Sequence, residues 1–370
     1  MEKGLTKKRV VISAVNFTEG GPLTVLLDSL RSAVEVLGSN WQIFAIVSKK
    51  ELIKGLEVNL IEFPKSKRSW LVRIWLEYWY FKKLSKQLQP DLWLSLHDIS
   101  PRVEARRQAV YCHNPSIFYR VSFREAMYEP KFLLFNLFYK YLYRINIYRN
   151  DFVIVQQDWI RSAFRKIYGC KNIVVAHPVG IIFNDESLPQ KTPSSKIIFI
   201  YPALPRVFKN FDILCEAVAS LPPVILDNIE LRMTIDGSEN RYARGLVERY
   251  RTVSGLRFIG RQGVEDMKKQ YLESDVVMFP SKLETWGLPI GEAKTMGKPL
   301  LVADLPYARE TVGCYKNVSF LNPDDPRLWA DAMKLIALGC YGYEGSIETI
   351  PLGSYAPDWH SLWKLLVRGL

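Results

Sequence analysis

PSKLETWGLPIGEAKTMGKPLLVAD, residues 280–304, reads as loop, short helix, turn and buried strand. It sets two carboxylates, Glu284 and Glu292, eight positions apart around the helix start. Pro289 fits a first helical turn, where the N–H it lacks has no intrahelical partner. Gly297 supplies a left-handed stop, and Pro299 bars continuation. Residues 300–303 are apolar and β-branched enough for a buried strand. Glu284 therefore lies in the loop before the helix, and Glu292 lies within it. The free N–H groups of a helix start form an anion site. Two carboxylates that can read hydroxyls beside such a site suit a ligand carrying both a sugar and a diphosphate.

Working outward, residues 196–201, 230–236, 256–260 and 276–279 are further candidate strands of the second half. The loop after 201 carries Arg206 and Lys209 just before a helical pattern over 211–219. Cations there oppose the helix dipole, and an anion between them and the N–H groups would resolve the conflict. Residues 235–238 and 258–262 are strand-end loops, where open α/β sheets bind ligands. In the first half, strands are expected at 10–15, 41–47, 92–96, 109–112 and 153–155. Gly20 and Gly21 separate the first strand from a helix over 23–37, allowing close backbone approach to a ligand. They do not form G-x-G-x-x-G, so a dinucleotide reading gains nothing. Residues 184–195 (NDESLPQKTPSS) read as a linker. The chain is thus α/β, with two doubly wound, Rossmann-like domains. The domains are 1–182 and 196–355, followed by an amphipathic helix over 356–370.

The length of 370 residues accommodates two cores, and 48% hydrophobic with 24% charged residues is ordinary for a globular enzyme. Five scattered cysteines lack CxxC spacing, which argues against a disulfide framework or zinc site and for a reducing compartment. The apolar run after the first basic residues is too short for a signal peptide, and no uncharged run approaches the roughly eighteen residues of a membrane span. Residues 1–180 carry 28 Lys and Arg against 15 Asp and Glu; residues 181–370 carry 22 against 23. The excess positive charge sits wholly in the first half and points to an anionic partner. Residues 65–86 and 116–150 interleave aromatics with cations, including Trp75, Trp79, Lys82, Lys83, Lys86, Lys131, Lys140 and Arg144. This composition suits an anionic membrane surface or lipid-linked acceptor. Aromatics in a core with solvated cations is the alternative, and nucleic acid is a weaker one.

The run from Glu284 to Glu292, ETWGLPIGE, resembles the E-x7-E motif of retaining glycosyltransferase family 4. Pro280-Ser281, Gly287-Leu288-Pro289, Glu292-Ala293 and Gly297-Lys298-Pro299 fit the same pattern. The resemblance implies a GT-B fold, two Rossmann-like domains facing across a cleft, with the last helix returning to the first domain. It implies transfer of a sugar from a nucleotide-diphosphate donor to a glycan or lipid-linked acceptor, as in bacterial surface polysaccharide or glycolipid assembly. Lys209 and Arg206 would clamp the diphosphate, Glu292 the ribose and Glu284 the transferred sugar. Gly20, Gly21, Gly237, Gly287 and Leu288 would border the donor, and backbone at Ile259 and Arg261 would read the base. His113, ending the strand VYCHNP, would face the sugar. His97 is a second candidate in the cleft, His177 reads as structural, and Asp98 is open between a base and a turn residue. No D-x-D cluster sits in a suitable loop, so no essential metal or other cofactor is expected. The expected location is cytoplasmic, peripheral on the inner membrane. Another GT-B enzyme (an epimerase or inverting transferase) and a basic binding module without catalysis are the rivals.

Overall fold

The computed structural model describes residues 7–64, 66, 69–178 and 195–370. The expected boundary at 182 and the linker 184–195, Ser195 excepted, lie outside these residues. The described strands, in chain order, are β1 (Lys8–Ala14), β2 (Trp41–Val47), β3 (Asn59–Glu62), β4 (Leu92–Ser95), β5 (Arg107–Cys112), β6 (Phe152–Val155) and β7 (Ile173–Ala176). They continue as β8 (Ile197–Tyr201), β9 (Ile229–Met233), β10 (Leu256–Phe258), β11 (Val276–Phe279), β12 (Leu300–Ala303), β13 (Val318–Leu321) and β14 (Tyr355–Ala356). Two compact units form. One draws on residues 1–117, 137–179 and 351–370, the other on 118–136 and 180–350.

The first unit holds an eight-stranded sheet in the order β14-β7-β6-β5-β4-β1-β2-β3. Its pairings are all parallel. Successive side chains of β1 point to opposite faces, as the period of two requires. Val10, Ile12 and Ala14 pack with Leu26, Leu30, Trp359 and Trp363 from the helices Gly20–Leu37 and Trp359–Val367. Val11, Val15 and Trp93 pack with Leu76, Phe81 and Leu84 from the helical stretch 70–88. Helices therefore cover both faces, which a parallel sheet needs. The chain's end belongs here: Tyr355 and Ala356 pair in parallel with Val175 and Ala176, and Trp363 Nε1 donates to Ser29 O at 2.9 Å.

The second unit holds a six-stranded parallel sheet, β10-β9-β8-β11-β12-β13. Counting from β8, this is the 3-2-1-4-5-6 order of doubly wound dinucleotide-type folds. Residues 118–136 group with this unit, whereas the sequence reading keeps them in the first domain. The cause is aromatic packing: the Phe132 and Tyr119 rings lie 5.3 and 6.1 Å from Phe208. No local pattern announces such a contact. β3, β7, β13 and β14 were likewise not anticipated; each is only two to four residues long.

Candidate active site

In the second unit the sheet order reverses between β8 and β11. Connections leave these neighbours in opposite directions, so a crevice opens at their carboxyl ends. The loop after β8 ends in a short 3-10 turn, Val207–Lys209, and the helix Phe211–Ala219 follows. The loop after β11 runs to Gly287 and the helix Leu288–Thr295. Across the crevice, the Lys209 ammonium pairs with the Glu284 carboxylate. The same ammonium lies 5.9 Å from the Phe208 ring and 5.7 Å from the Phe279 ring. Tyr201 fixes the lysine's backbone by donating its hydroxyl to Lys209 O at 2.6 Å.

Asn210 holds these loops in register, a role the sequence reading did not assign. It adopts φ of 60°, a left-handed conformation in which Asn is enriched. Its buried amide donates to Pro280 O at 3.2 Å and Pro323 O at 2.8 Å, tying the ends of β8, β11 and β13. The Asn next to a lysine before a helix is the signal that could have pointed to it. Gly287 has φ of 84°, and a Cβ there would meet Phe279 at 3.1 Å, so both backbone and space demand glycine.

Glu292 lies inside the helix, as its spacing predicts. It accepts from the Tyr271 hydroxyl at 2.6 Å, and burial pushes its carboxyl above the usual range while that bond pulls it down. Arg206 is already engaged: its Nε stands 2.8 and 3.1 Å from the two oxygens of Glu129, and its guanidinium lies 5.5 Å from Phe132 and 5.7 Å from Phe208. Glu129 was missed because nothing local links it to this loop. Gly237 has φ of 94°, and its N–H donates to Glu239 at 3.0 Å. The Ile259 N–H donates to Met233 O at 2.9 Å and its carbonyl accepts from Gln262 at 2.7 Å; Arg261 is exposed. The structure thus gathers Lys209 and Glu284 at one point and spends the Ile259 N–H within the sheet. Leu288 opens the helix after Gly287.

In the first unit the order reverses between β1 and β4. Gly20, with φ of 63°, begins the helix after β1, and Gly21 follows within it. Asp98 follows β4 and is a hub. Its Oδ1 accepts from His113 N at 2.7 Å, Asn114 N at 3.1 Å and the Tyr143 hydroxyl at 2.8 Å; its Oδ2 accepts from the Tyr139 hydroxyl at 2.9 Å. A buried carboxylate that accepts from four donors organises this loop. It holds His113, whose half-buried ring stands with Nδ1 3.5 Å from Asp98 and edge-on to Phe17 at 5.2 Å. His97 is 1% exposed, bonded to Ser13 Oγ at 3.0 Å, and burial beside Arg73 pushes its pKa well down. Its ring is held inside this buried cluster, with Arg73 Nη2 3.3 Å from Nδ1. His177 meets the Tyr355 hydroxyl at 3.1 Å. The five cysteines are free thiols. Among the described residues no group of three His, Cys, Asp or Glu could hold a metal, and no helix is long and apolar enough to cross a membrane.

Residues 183–338 match the profile of the family described as Glycosyl transferases group 1. The D-inositol 3-phosphate glycosyltransferase of Corynebacterium urealyticum is 26% identical over 188 residues, covering 47% of this chain and 42% of that protein. The match thus spans less than half of that relative's length. The O-antigen chain mannosyltransferase RfbU of Salmonella typhimurium is 20% identical over 273 residues, covering 71% of this chain and 70% of that protein. Among solved structures, a glycosyltransferase from Rickettsia africae superposes with a TM-score of 0.67 at 15% identity, covering 99% of this chain and 100% of that one. HepE of Anabaena, in complex with UDP-glucose, superposes with 0.57 at 14%, covering 97% and 95%. Residues 183–338 are a glycosyltransferase domain, and the two parallel sheets form a GT-B fold.

Proposed function

We propose that this chain, which carries a glycosyl transferases group 1 domain on a GT-B fold, moves a sugar from a nucleotide-diphosphate donor to an acceptor hydroxyl with retention at the anomeric carbon. The observation that carries the reading is the Lys209–Glu284 pair at the switch point of the second sheet. A cation and a carboxylate that hold each other there are set to exchange partners when a donor arrives. The diphosphate takes Lys209, and the released Glu284 takes hydroxyls of the transferred sugar. The bond from the anomeric carbon to the diphosphate oxygen breaks, the acceptor oxygen bonds to the same face, and its proton passes to the departing diphosphate. Lys209, Arg206 and the amides opening the helix Leu288–Thr295 meet the developing charge. Glu292 binds ribose, Gly237, Ile259 and Arg261 border the base, and His113 with Gly20 and Gly21 serves the sugar side. Lysine and the helix start take the place a metal would fill.

The similarity to an O-antigen mannosyltransferase favours surface polysaccharide or glycolipid assembly, and the HepE complex favours a nucleotide sugar as donor. The acceptor side is read as peripheral to an anionic membrane, at the cytoplasmic face. The support is that Leu71, Trp75 and Trp79 on one helical stretch, and Phe138, Tyr141 and Ile145 on the next, are exposed. Lys83, Lys86, Lys140 and Arg144 are exposed beside them. The crossovers β3 to β4 and β5 to β6 run the same way along the sheet, so right-handedness puts both stretches on one face. Such an aromatic and basic face suits a lipid interface.

The test is a thermal-shift screen of nucleotide sugars, followed by NMR of the product made from the stabilising donor. Binding raises Tm by mass action. An axial donor giving an axial product supports retention; an inverted or epimerised product would transfer the reading to a rival GT-B chemistry. Stabilisation by no nucleotide sugar would sink it.

A further inference from the structure

A cavity of about 260 Å³ in the first unit is lined by Asn16, Ser66, Ser69, Trp70 and Arg73. Asn16 follows β1, and the two serines follow β3. It therefore lies at the carboxyl ends of the strands, beside the β1–β4 reversal, where an open parallel sheet takes its ligand. Arg73 is tied to that reversal: its Nη2 donates to His97 O at 2.9 Å. The volume is below the roughly 300–1,000 Å³ of drug-sized sites and suits one ring with a substituent.

Arg73 is only 7% exposed, and its guanidinium lies 5.1 Å over the Trp70 ring. With its amide turned to match the donors around it, the Asn16 oxygen accepts from this guanidinium. Glu77, from the π-helical turn Leu76–Tyr80, stands 4.0 Å from Arg73 Nε and 3.3 Å from His97 Nε2. Such turns concentrate at functional sites. Burial pushes Glu77 up to about 8, against the pull of Arg73, and pushes His97 down. Both shifts favour the neutral form, so the positive charge of Arg73 dominates the cluster. A buried cation without an ionised partner is costly, and an oxyanion meets a guanidinium in a two-point contact. Trp70 is 46% exposed and offers a flat apolar surface beside it. The Ser69 hydroxyl accepts from Leu71 N at 3.2 Å and keeps its own proton to donate.

We propose that this cavity is an acceptor subsite, and that the acceptor enters with a carboxylate or phosphate on Arg73 and a sugar ring against Trp70. The assignment rests on the sugar-transfer reading above. The shared chemistry is an oxyanion next to a pyranose, whether from an acidic sugar or from the phosphate of a lipid-linked glycan.

The experiment uses the full chain with its donor site saturated by UDP or GDP, whichever raises Tm. Calorimetry then compares methyl glucuronide, a glucosyl ester of a short isoprenyl phosphate, and neutral methyl glucoside. At least one acidic probe is expected to bind tenfold or more tightly than methyl glucoside, and the stronger of the two identifies the oxyanion's source. Ser69→Asp keeps the helix cap, since Asp caps as well as Ser, but adds a negative charge at the cavity. It should weaken the acidic probe at least tenfold and leave nucleotide affinity within twofold. Arg73→Lys should weaken it similarly, and Ser69→Asp carries the test if that variant fails to fold. Equal affinity for acidic and neutral probes would overturn the proposal, as would acidic binding indifferent to Ser69→Asp. If neither nucleotide binds, the transfer reading fails, and the same probes without nucleotide still decide the cavity's preference.

Discussion

Glu129 holds Arg206 from 77 positions earlier in the chain, with the guanidinium's Nε 2.8 Å from one carboxylate oxygen. Lys209, three residues on, is held in the same way by Glu284. Phe208 lies between the two cations, 5.7 Å from one and 5.9 Å from the other. Both cations therefore carry a protein carboxylate, which a diphosphate bound as proposed would have to displace.

Removing one of those carboxylates should help the nucleotide. Glu129→Gln is expected to tighten nucleoside diphosphate binding several-fold, because Arg206 no longer trades one anion for another. The pair is partly exposed, so the gain is modest and shrinks with salt. Calorimetry at two ionic strengths measures it; weaker binding would show that Glu129 instead orients Arg206 for use.

Lys209→Ala should cut turnover by roughly a hundredfold or more at saturating donor, as for other groups aimed at developing negative charge. Steady-state kinetics check it. Turnover within a few-fold of wild type would remove Lys209 from the chemistry.

The two glutamates should separate. Glu292→Ala is expected to weaken donor and free nucleotide diphosphate alike, since ribose is common to both. Glu284→Ala should chiefly lower kcat and sugar discrimination. Unchanged nucleotide affinity in Glu292→Ala, measured by calorimetry, would end the ribose assignment.

Glu77 should make stability depend on pH. Its folded pKa of about 8 stands above the ordinary 4.5, so the folded state binds the proton more tightly between those values. Stability then falls as pH rises from about 4.5 to 8, by at most about 1.4 kcal/mol per unit. Arg73, His97 and Tyr78 are its ionisable neighbours. Urea melts of wild type and Glu77→Gln at pH 5 and pH 8 should show a steeper loss in wild type. Parallel losses would mean that Glu77 stays ionised against Arg73.

The aromatic and basic face should bind anionic vesicles reversibly. Each basic residue at such a surface is worth about 1 kcal/mol, screened over about 8 Å at physiological salt. Trp75→Ala with Trp79→Ala should reduce co-sedimentation at low and high salt alike, and Lys83→Glu with Lys140→Glu mainly at low salt. Absence of wild-type binding at low salt would leave a soluble acceptor as the better reading.

What the sequence determined by itself is what local backbone chemistry controls. Gly297 ends its helix at φ of 63°, Pro289 sits in a first turn, and the apolar runs 41–47, 276–279 and 300–303 are strands with those bounds. Glu284 in a loop and Glu292 in a helix follow from the same signals. What only the tertiary structure decided depends on partners distant along the chain. The partners of Asp98 were open until four donors converged on its carboxylate. The surroundings of His97 were open until the fold buried it between Ser13 and Arg73. Residues 118–136 join the second unit because Phe132 packs on Phe208 there and Glu129 pairs with Arg206. A carboxylate's spacing shows where it sits; the donors brought to it by the fold decide whether it is free to act.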